Sequence, residues 1–106
     1  MEAIVLHKEK EAGRLVKKNQ KYISTYSDSY FEDIHCKSIS LTLPKSQKTF
    51  KSNHLFPFFY NMLPEGVNKK LVCRRFKIDE NDFFTLLLQV AGKDTIGAIT
   101  VMPANK

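Results

Sequence analysis

The sequence predicts an α+β fold: a small, mainly antiparallel sheet from the N-terminal half and the last strand, packed with about three helices from residues 54–92. Three observations predict it. Short β-rich runs occupy the first half of the chain. Long apolar segments bounded by Pro and Gly occupy the second half. A β-rich run returns near the C-terminus, where we expect it to rejoin the N-terminal sheet.

Length and composition predict a single domain, residues 1–106. The hydrophobic fraction of 42% and the charged fraction of 26% are typical of globular proteins and argue against disorder. The two cysteines, Cys36 and Cys73, have no paired spacing, which indicates reduced thiols rather than a disulfide scaffold. No signal peptide follows Met1, and no segment approaches the ~20 apolar residues of a membrane span. The sequence therefore predicts a soluble cytoplasmic protein.

Three short β-rich runs come first, at residues 3–6, 14–18 and 21–26. A charged loop is expected between the first two, at residues 7–13. The second and third runs are separated only by Asn19-Gln20, which predicts a hairpin.

A fourth strand is predicted at residues 38–44, after a segment at 30–35 that reads as a loop or one helical turn. Every second residue of this segment is apolar, namely Ile39, Leu41 and Leu43, and the residues between them are polar. Pro44 is expected to stop this strand. Residues 45–53 are predicted to form a polar loop that contains Phe50.

A very apolar short stretch lies at residues 55–66. It contains four aromatic residues and two of the four prolines in the chain. Pro57 suits the first turn of a helix, and Pro64 disfavours helical geometry at Leu63. We therefore expect a helix from near His54 to near Leu63, followed by a Pro-Glu-Gly elbow. Such a short helix cannot bury all its large side chains on one face, so part of its surface is expected to face a partner.

A second helix is predicted at residues 67–76, with apolar residues on two sides: Val67 with Leu71, and Val72 with Phe76. This distribution predicts that the helix is covered on two sides. Its basic residues fall at i, i+4 and i+7, which places them in one stripe: Lys70, Arg74 and Lys77.

A third, largely buried helix is predicted at residues 82–91, because its apolar residues leave a polar side of only two positions. Asp79 or Asn81 is expected to cap its start, and Gly92 is expected to cap its end. Residues 96–102 then return to strand character.

The sequence argues against an enzyme. His7, His35 and His54 are isolated and lack metal-ligand spacing, so neither a metal nor a cofactor is expected. There is no Gly-rich phosphate loop, nucleophile elbow or kinase catalytic motif. Cys73 lies between apolar neighbours, which favours packing over a nucleophilic role. The net charge of +6 is spread along the chain and favours an acidic partner of any chemistry.

Two long motifs carry a family resemblance. Residues 58–66 read Phe-Phe-Tyr-Asn-Met-Leu-Pro-Glu-Gly, which is similar to the Phe-Phe-x-Asn-Leu-Leu-Pro-Glu-Gly signature of the HipA-type N-terminal subdomain. Residues 83–88 and 91–99 are similar to its Phe-x-Leu-Leu…Gly-x-Asp-x-x-Gly-Ala-Val ending. Met62 stands where the family usually has Leu, and Ile99 where it usually has Val. Shorter segments match its Gly-x-Leu, aromatic-strand and Ser-Leu-Ser-Leu-Pro elements: residues 13–15, 22–26 and 38–44.

In HipA-type toxins this subdomain precedes a Ser/Thr kinase core with the ATP site, whereas this chain ends at Lys106, just after the last motif. The resemblance, over residues 3–103, therefore implies a separately encoded subdomain, as in three-component HipBST toxin–antitoxin systems. There the small HipS protein is the antitoxin of the HipT kinase. The resemblance implies a non-enzymatic antitoxin that binds and neutralises a HipT- or HipA-like Ser/Thr kinase toxin. A helix-turn-helix HipB-like DNA-binding protein is a possible third member of the complex, and neither a membrane nor direct nucleic-acid binding is expected.

Six residues are the candidates for partner binding: Phe59, Met62, Leu63, Glu65, Lys70 and Arg74. The first four surround the elbow and would form an anchor cluster, and the last two would be rim charges. For Phe59 and Leu63 a structural role in the core is an open alternative. Two other functions also stay open: a basic nucleic-acid-binding module using residues 69–77, and an inactive N-terminal piece of a full-length HipA-type kinase.

Overall fold

The computed structural model describes residues 1–8, 10–91 and 99–104. Within these ranges there are five strands: β1 Glu2–His7, β2 Lys10–Lys18, β3 Lys21–Tyr26, β4 Thr49–Ser52 and β5 Ile99–Pro103. The same ranges contain four helices: α1 Asp28–Glu32, α2 Pro57–Tyr60, α3 Gly66–Phe76 and α4 Phe83–Val90. The five strands form one antiparallel sheet in the order β4-β3-β2-β1-β5. The predicted α+β class is confirmed, and β5 rejoins the N-terminal sheet. Residues 96–98 of the predicted last strand lie outside the described residues.

The predicted hairpin of β2 and β3 is confirmed. Its turn residues Asn19 and Gln20 have φ angles of 52° and 66°, the left-handed backbone that a two-residue hairpin turn favours. Further along the hairpin, Gly13 lies so close to β3 that a Cβ atom would clash with the carbonyl oxygen of Thr25. Only glycine fits this position without moving the neighbouring strand.

The loop predicted at residues 7–13 is wrong. Strand β1 continues to His7, which pairs with Lys10 at the start of β2. The pairing register shifts between Val5 and Leu6. This irregularity, of the kind a β-bulge introduces, lets the two strands stay paired through the charged segment.

The strand predicted at residues 38–44 is also wrong. A single bridge joins Ser40 and Leu43, and the Leu43 N–H donates to the Ser40 carbonyl oxygen at 3.1 Å, which closes a turn. Leu41 in this turn is 98% exposed, whereas Leu43 is buried. The Tyr26 hydroxyl of β3 donates to the Leu43 carbonyl oxygen and thus takes up a backbone acceptor that a sheet would use. Burial of this hydroxyl raises the pKa of Tyr26.

Strand β4 lies within the predicted polar loop of residues 45–53, so that prediction is wrong in its second half. The strand pairs with β3, and Phe50 stands opposite Ser24. Ser24 is a buried position of β3, and Phe50 is half-buried against the main hydrophobic core. Strand β4 is therefore an edge strand of the sheet in which Phe50 supplies the one apolar side chain.

Helix α4 lies at the centre of the core, as its apolar sequence predicts. Phe84, Leu86 and Leu87 are fully buried. They share the main core with buried residues of three strands: Ala3, Val5, Leu15, Ile99 and Val101. Burial of a large apolar side chain stabilises a fold by roughly 1.5–3 kcal/mol, so this helix contributes much of the stability.

The predicted start of α4 is off by one to three residues. Asp82, rather than Asp79 or Asn81, is the N-cap, and its carboxylate accepts from the Thr85 N–H at 3.2 Å and from the Thr85 hydroxyl at 2.8 Å. Asp79 instead accepts from the Asn81 N–H at 2.8 Å. The predicted C-cap Gly92 lies outside the described residues.

Helix α2 is much shorter than the predicted helix from His54 to Leu63. It has four residues, and Pro57 stands in its first turn as predicted. Its one fully buried residue, Phe59, contacts the rings of Phe56 and Phe58 edge to face, with centroids 6.5 and 5.3 Å away. The aromatic cluster therefore fixes this single turn against the core.

Candidate partner-binding surface

Residues 61–66 run from the end of α2 to the first residue of α3 and contain the Pro-Glu-Gly elbow. Leu63 is buried, Met62 is half-buried against the core, and Glu65 is exposed as the N-cap residue of α3. Gly66 has a φ angle of 58° and nothing within 4 Å of where a Cβ would stand. Glycine therefore serves the backbone turn at this position and not a close contact. The elbow borders a depression of about 130 Å³, which Tyr60 and Lys69 also line.

Helix α3 exposes apolar side chains on its outer side. Val67 is 72% exposed and Leu71 is 54% exposed. At about 100° per residue, Lys70 and Arg74 lie on the same side of the helix, beside these two residues. We call these four residues the α3 surface. The prediction that this helix is covered on two sides is therefore wrong, because the side with Val67 and Leu71 is exposed to solvent.

The opposite side of α3 faces the core through Cys73, which is the buried residue of this helix. Lys77 ends the helix with a left-handed φ angle of 58°, and both its N–H and that of Ile78 donate to the Cys73 carbonyl oxygen. Ile78 is half-buried against the core. This Schellman-type ending anchors the last turn of α3, although Val67 and Leu71 on its outer side are more than half exposed.

Two aromatic contacts connect α2, α3 and α4. The rings of Tyr60 and Phe83 meet edge to face, with centroids 5.5 Å apart and planes at 90°. The Lys69 ammonium stands 5.1 Å from the centroid of the Phe83 ring, within cation–π range. These contacts join the three helices through the inner side of α3, because Lys69 lies about 200° around the helix from Val67.

The structure separates the six predicted partner-binding residues into two groups. Phe59 and Leu63 lie in the hydrophobic core, in the structural role that stood open for them. The other four have accessible surface around the elbow and α3: Met62, Glu65, Lys70 and Arg74. Binding of a partner by all six stays a prediction. Val67, Leu71 and Tyr60 were not among the residues predicted to bind a partner, although the first two share a helix side with the basic stripe.

The described residues offer little to other kinds of site. In residues 1–8, 10–91 and 99–104, no group of three His, Cys, Asp or Glu side chains is placed to hold a metal ion. No helix in the same ranges is long and apolar enough to span a bilayer.

Comparisons with known proteins agree on one family. A family model described as the HipA N-terminal domain matches residues 3–102. A solved structure titled "N-terminal domain of HipA toxin" superposes with a TM-score of 0.73 at 26% identity, covering 99% of this chain and 93% of that one.

Three sequence relatives differ in length. An uncharacterized protein of Haemophilus influenzae is 37% identical over 73 residues, which are 69% of this chain and 68% of the relative. Two Sinorhizobium fredii proteins, named "Putative kinase Y4mE" and "Putative kinase Y4dM", are 27% and 33% identical over 81 and 89 residues. These matches take up 76% and 78% of this chain but 19% and 22% of the two relatives. The chain thus corresponds to about a fifth of each kinase-named protein.

Proposed function

This chain belongs to the HipA N-terminal domain family, and on that premise we propose that it is a non-enzymatic cytoplasmic antitoxin, a single domain that binds and neutralises a HipA- or HipT-like Ser/Thr kinase toxin. The family corresponds to the part of HipA that is not the catalytic kinase domain. In the two kinase-named relatives the matching segment is part of a chain about five times its length. A separately encoded kinase would take the place of that remaining chain.

The α3 surface is the observation that supports this proposal best. Val67 and Leu71 are large apolar residues more than half exposed on a well-anchored helix. A protein interface typically combines a few desolvated apolar anchors with a polar rim. Burying Leu71 against a partner would stabilise a complex by up to roughly 1.5–3 kcal/mol, before the cost of association.

The charges beside these anchors indicate the chemistry of the partner surface. Lys70 and Arg74 are both exposed, and none of the ion pairs among the described residues includes either one. The partner surface should therefore carry Asp or Glu opposite them. Because such rim charges act at long range, they would mainly raise the association rate.

We place the docking site on the N-terminal lobe of the kinase, where the bound domain would hold the active site shut or unproductive. The elbow would lie at the centre of the contact, with the accessible part of Met62 and the carboxylate of Glu65. The buried residues Phe59 and Leu63 would support this surface from within. A helix-turn-helix HipB-like protein would join the same complex in such a system.

The test is co-purification and a kinase assay with a separately encoded HipA-like kinase from the same genome. We expect a stable complex and loss of kinase autophosphorylation when the chain is added. Leu71→Asp should weaken the complex by at least about tenfold, because it places a charge in the apolar contact. Leu41→Asp, the same change at a leucine exposed on another segment, is the matched control. Unchanged phosphorylation and no complex with the wild-type chain would refute the antitoxin function.

A second candidate function rests on the two kinase-named relatives: this chain is the N-terminal part of a full-length HipA-type kinase. The reading frame of the gene decides between them. A kinase in a separate frame supports the antitoxin, and a frame that continues into kinase sequence supports the second candidate.

A further inference from the structure

A cleft of about 340 Å³ lies on the other side of Tyr60 from the elbow. Tyr22 and Leu55 are buried and form its base. The exposed ring of Tyr60 and the half-buried ring of Phe83 form a wall, in the edge-to-face pair described above. The volume lies within the usual range for ligand sites, and the aromatic surfaces suit a flat apolar group.

The polar groups around this cleft are neutral or positive. Gln20, Asn53 and Asn81 supply amides, which can both donate and accept hydrogen bonds. Lys17 supplies a positive charge, with its ammonium 5.7 Å from the centroid of the Tyr22 ring. None of the described residues lining the cleft is Asp or Glu. An occupant with a negative charge near Lys17 would therefore be favoured.

The cleft adjoins a further depression of about 480 Å³, with which it shares Lys17, Gln20 and Asn81. That depression extends to Met1 and also carries the carboxylates of Asp79 and Asp82, so Lys17 is the place for a negative group of an occupant. The cleft and the adjoining depression form one groove, which the ring of Tyr60 separates from the elbow depression. Its amides, on Gln20, Asn53 and Asn81, match the donors and acceptors of a peptide backbone.

We propose that this groove binds an extended peptide segment of a partner protein, with an aromatic side chain seated against Tyr22, Tyr60 and Phe83 and an adjacent carboxylate facing Lys17. The inference rests on the proposed function, since the segment would belong to the kinase. It adds a second contact to that made by the α3 surface.

The first experiment is an NMR titration of the full ¹⁵N-labelled chain with a capped Gly-Ser-Asp-Phe-Ser-Gly peptide at millimolar concentration. The amide signals of Tyr22, Asn53, Asn81 and Phe83 should shift. The peptide with Lys in place of Asp should bind about fivefold more weakly, because Lys17 repels it. Absence of shifts at these amides would overturn the proposal. It would equally be overturned if adenosine monophosphate shifted them and the peptide did not.

Two variants test the named contacts. Lys17→Met keeps the apolar stem and should remove the preference between the two peptides. Lys18→Met, at an exposed neighbour that does not line the groove, is the matched control and should retain that preference. Tyr60→Ala should weaken binding of both peptides about tenfold by removing the wall. A Lys17→Met chain with an unchanged preference would contradict the contact.

The kinase assay separates this inference from the proposed function. If Lys17→Met and Tyr60→Ala bind the kinase like the wild-type chain, the groove proposal fails and the antitoxin function stands. If the wild-type chain binds the peptide but no kinase, the antitoxin function fails and the groove remains a peptide site.

Discussion

Helices α3 and α4 follow one another in the chain but relate to the core in opposite ways. Helix α4 buries Phe84, Leu86 and Leu87, whereas the longer helix α3 buries Cys73 alone. The outer side of α3 leaves Val67 and Leu71 more than half exposed. Apolar residues on α4 therefore stabilise the domain, and those on the outer side of α3 remain available to another molecule.

The two helices also differ in the hydrogen bonds that hold their ends. The Asp82 side chain caps α4 by accepting two hydrogen bonds from Thr85, whereas Glu65 makes no side-chain cap at α3. Helix α3 is held instead by the backbone bonds of Lys77 and Ile78 at its other end. This contrast can be tested by substitutions that affect one helix and spare the other.

The largest effect is expected from Phe84→Ala in α4. Removing a fully buried ring should lower the free energy of unfolding by about 3–5 kcal/mol. Phe76→Ala in α3 is the matched control, and it should cost clearly less because that ring is 42% exposed. Urea unfolding followed by circular dichroism measures both. Equal losses would show that α3 belongs to the core as much as α4 does.

The next largest effect is expected from Asp82→Ala, which removes the cap of α4. It should lower the free energy of unfolding by about 1 kcal/mol, whereas Asp82→Asn should keep most of the cap. Glu65→Ala at α3 should change it by less than about 0.5 kcal/mol, because no capping hydrogen bond is lost. Thermal unfolding of the three variants compares the caps. A larger loss for Glu65→Ala would reverse the comparison.

A gain in stability is expected from Lys77→Gly at the end of α3. Lys77 has a left-handed backbone, which glycine adopts without steric cost, so the free energy of unfolding should rise by about 0.5–1 kcal/mol. Lys70→Gly within the same helix should lower it by about 1 kcal/mol. Urea midpoints of the two glycine variants provide the measurement, and a loss at Lys77→Gly would contradict the cap.

The smallest effect on stability is expected from Leu71→Ser. Because the side chain is 54% exposed, the free energy of unfolding should fall by no more than about 0.5 kcal/mol. Leu87→Ser, which puts a hydroxyl into the core, should lower it several-fold more. Urea unfolding curves of the two variants give the two free energies of unfolding for this comparison. A Leu71→Ser variant as unstable as Leu87→Ser would mean that the outer side of α3 stabilises the domain itself.

Elements with strong local signals could be predicted from the sequence. The Asn19-Gln20 turn specifies the hairpin, the near-continuous apolar run specifies α4, and Pro57 indicates a first helical turn, although not the length of α2. Each of these signals acts between residues close in the chain. The structure confirms these elements because their tertiary surroundings agree with the local preference.

Elements set by distant contacts could not be predicted in this way. The alternation of Ile39, Leu41 and Leu43 is the pattern of a strand, but the Tyr26 hydroxyl binds the backbone of this segment and a turn exposes Leu41. Strand β4 has only Phe50 as an apolar residue and depends on pairing with β3. Spacing specifies which residues share a face and leaves open whether another element covers it.

For the candidate partner-binding surface, too, only the local features could be predicted. Charged residues such as Lys70 and Arg74 are expected to be exposed, and a spacing of four residues places Val67 and Leu71 on one side of a helix. Whether that apolar side is covered depends on a neighbouring element, so the sequence alone led to the wrong expectation. The same limit applies to Phe59 and Leu63, whose burial depends on where α2 rests on the core.

The position of β5 has a consequence for the order of folding. Ala3 of β1 pairs with Pro103 of β5, so β1 waits for a strand that is synthesised much later. Contacts between such distant residues slow folding. On the ribosome, β1 has β2 as a neighbour early, while its other edge stays unpaired until β5 emerges. We expect the nascent domain to be most vulnerable to edge-to-edge aggregation during that interval.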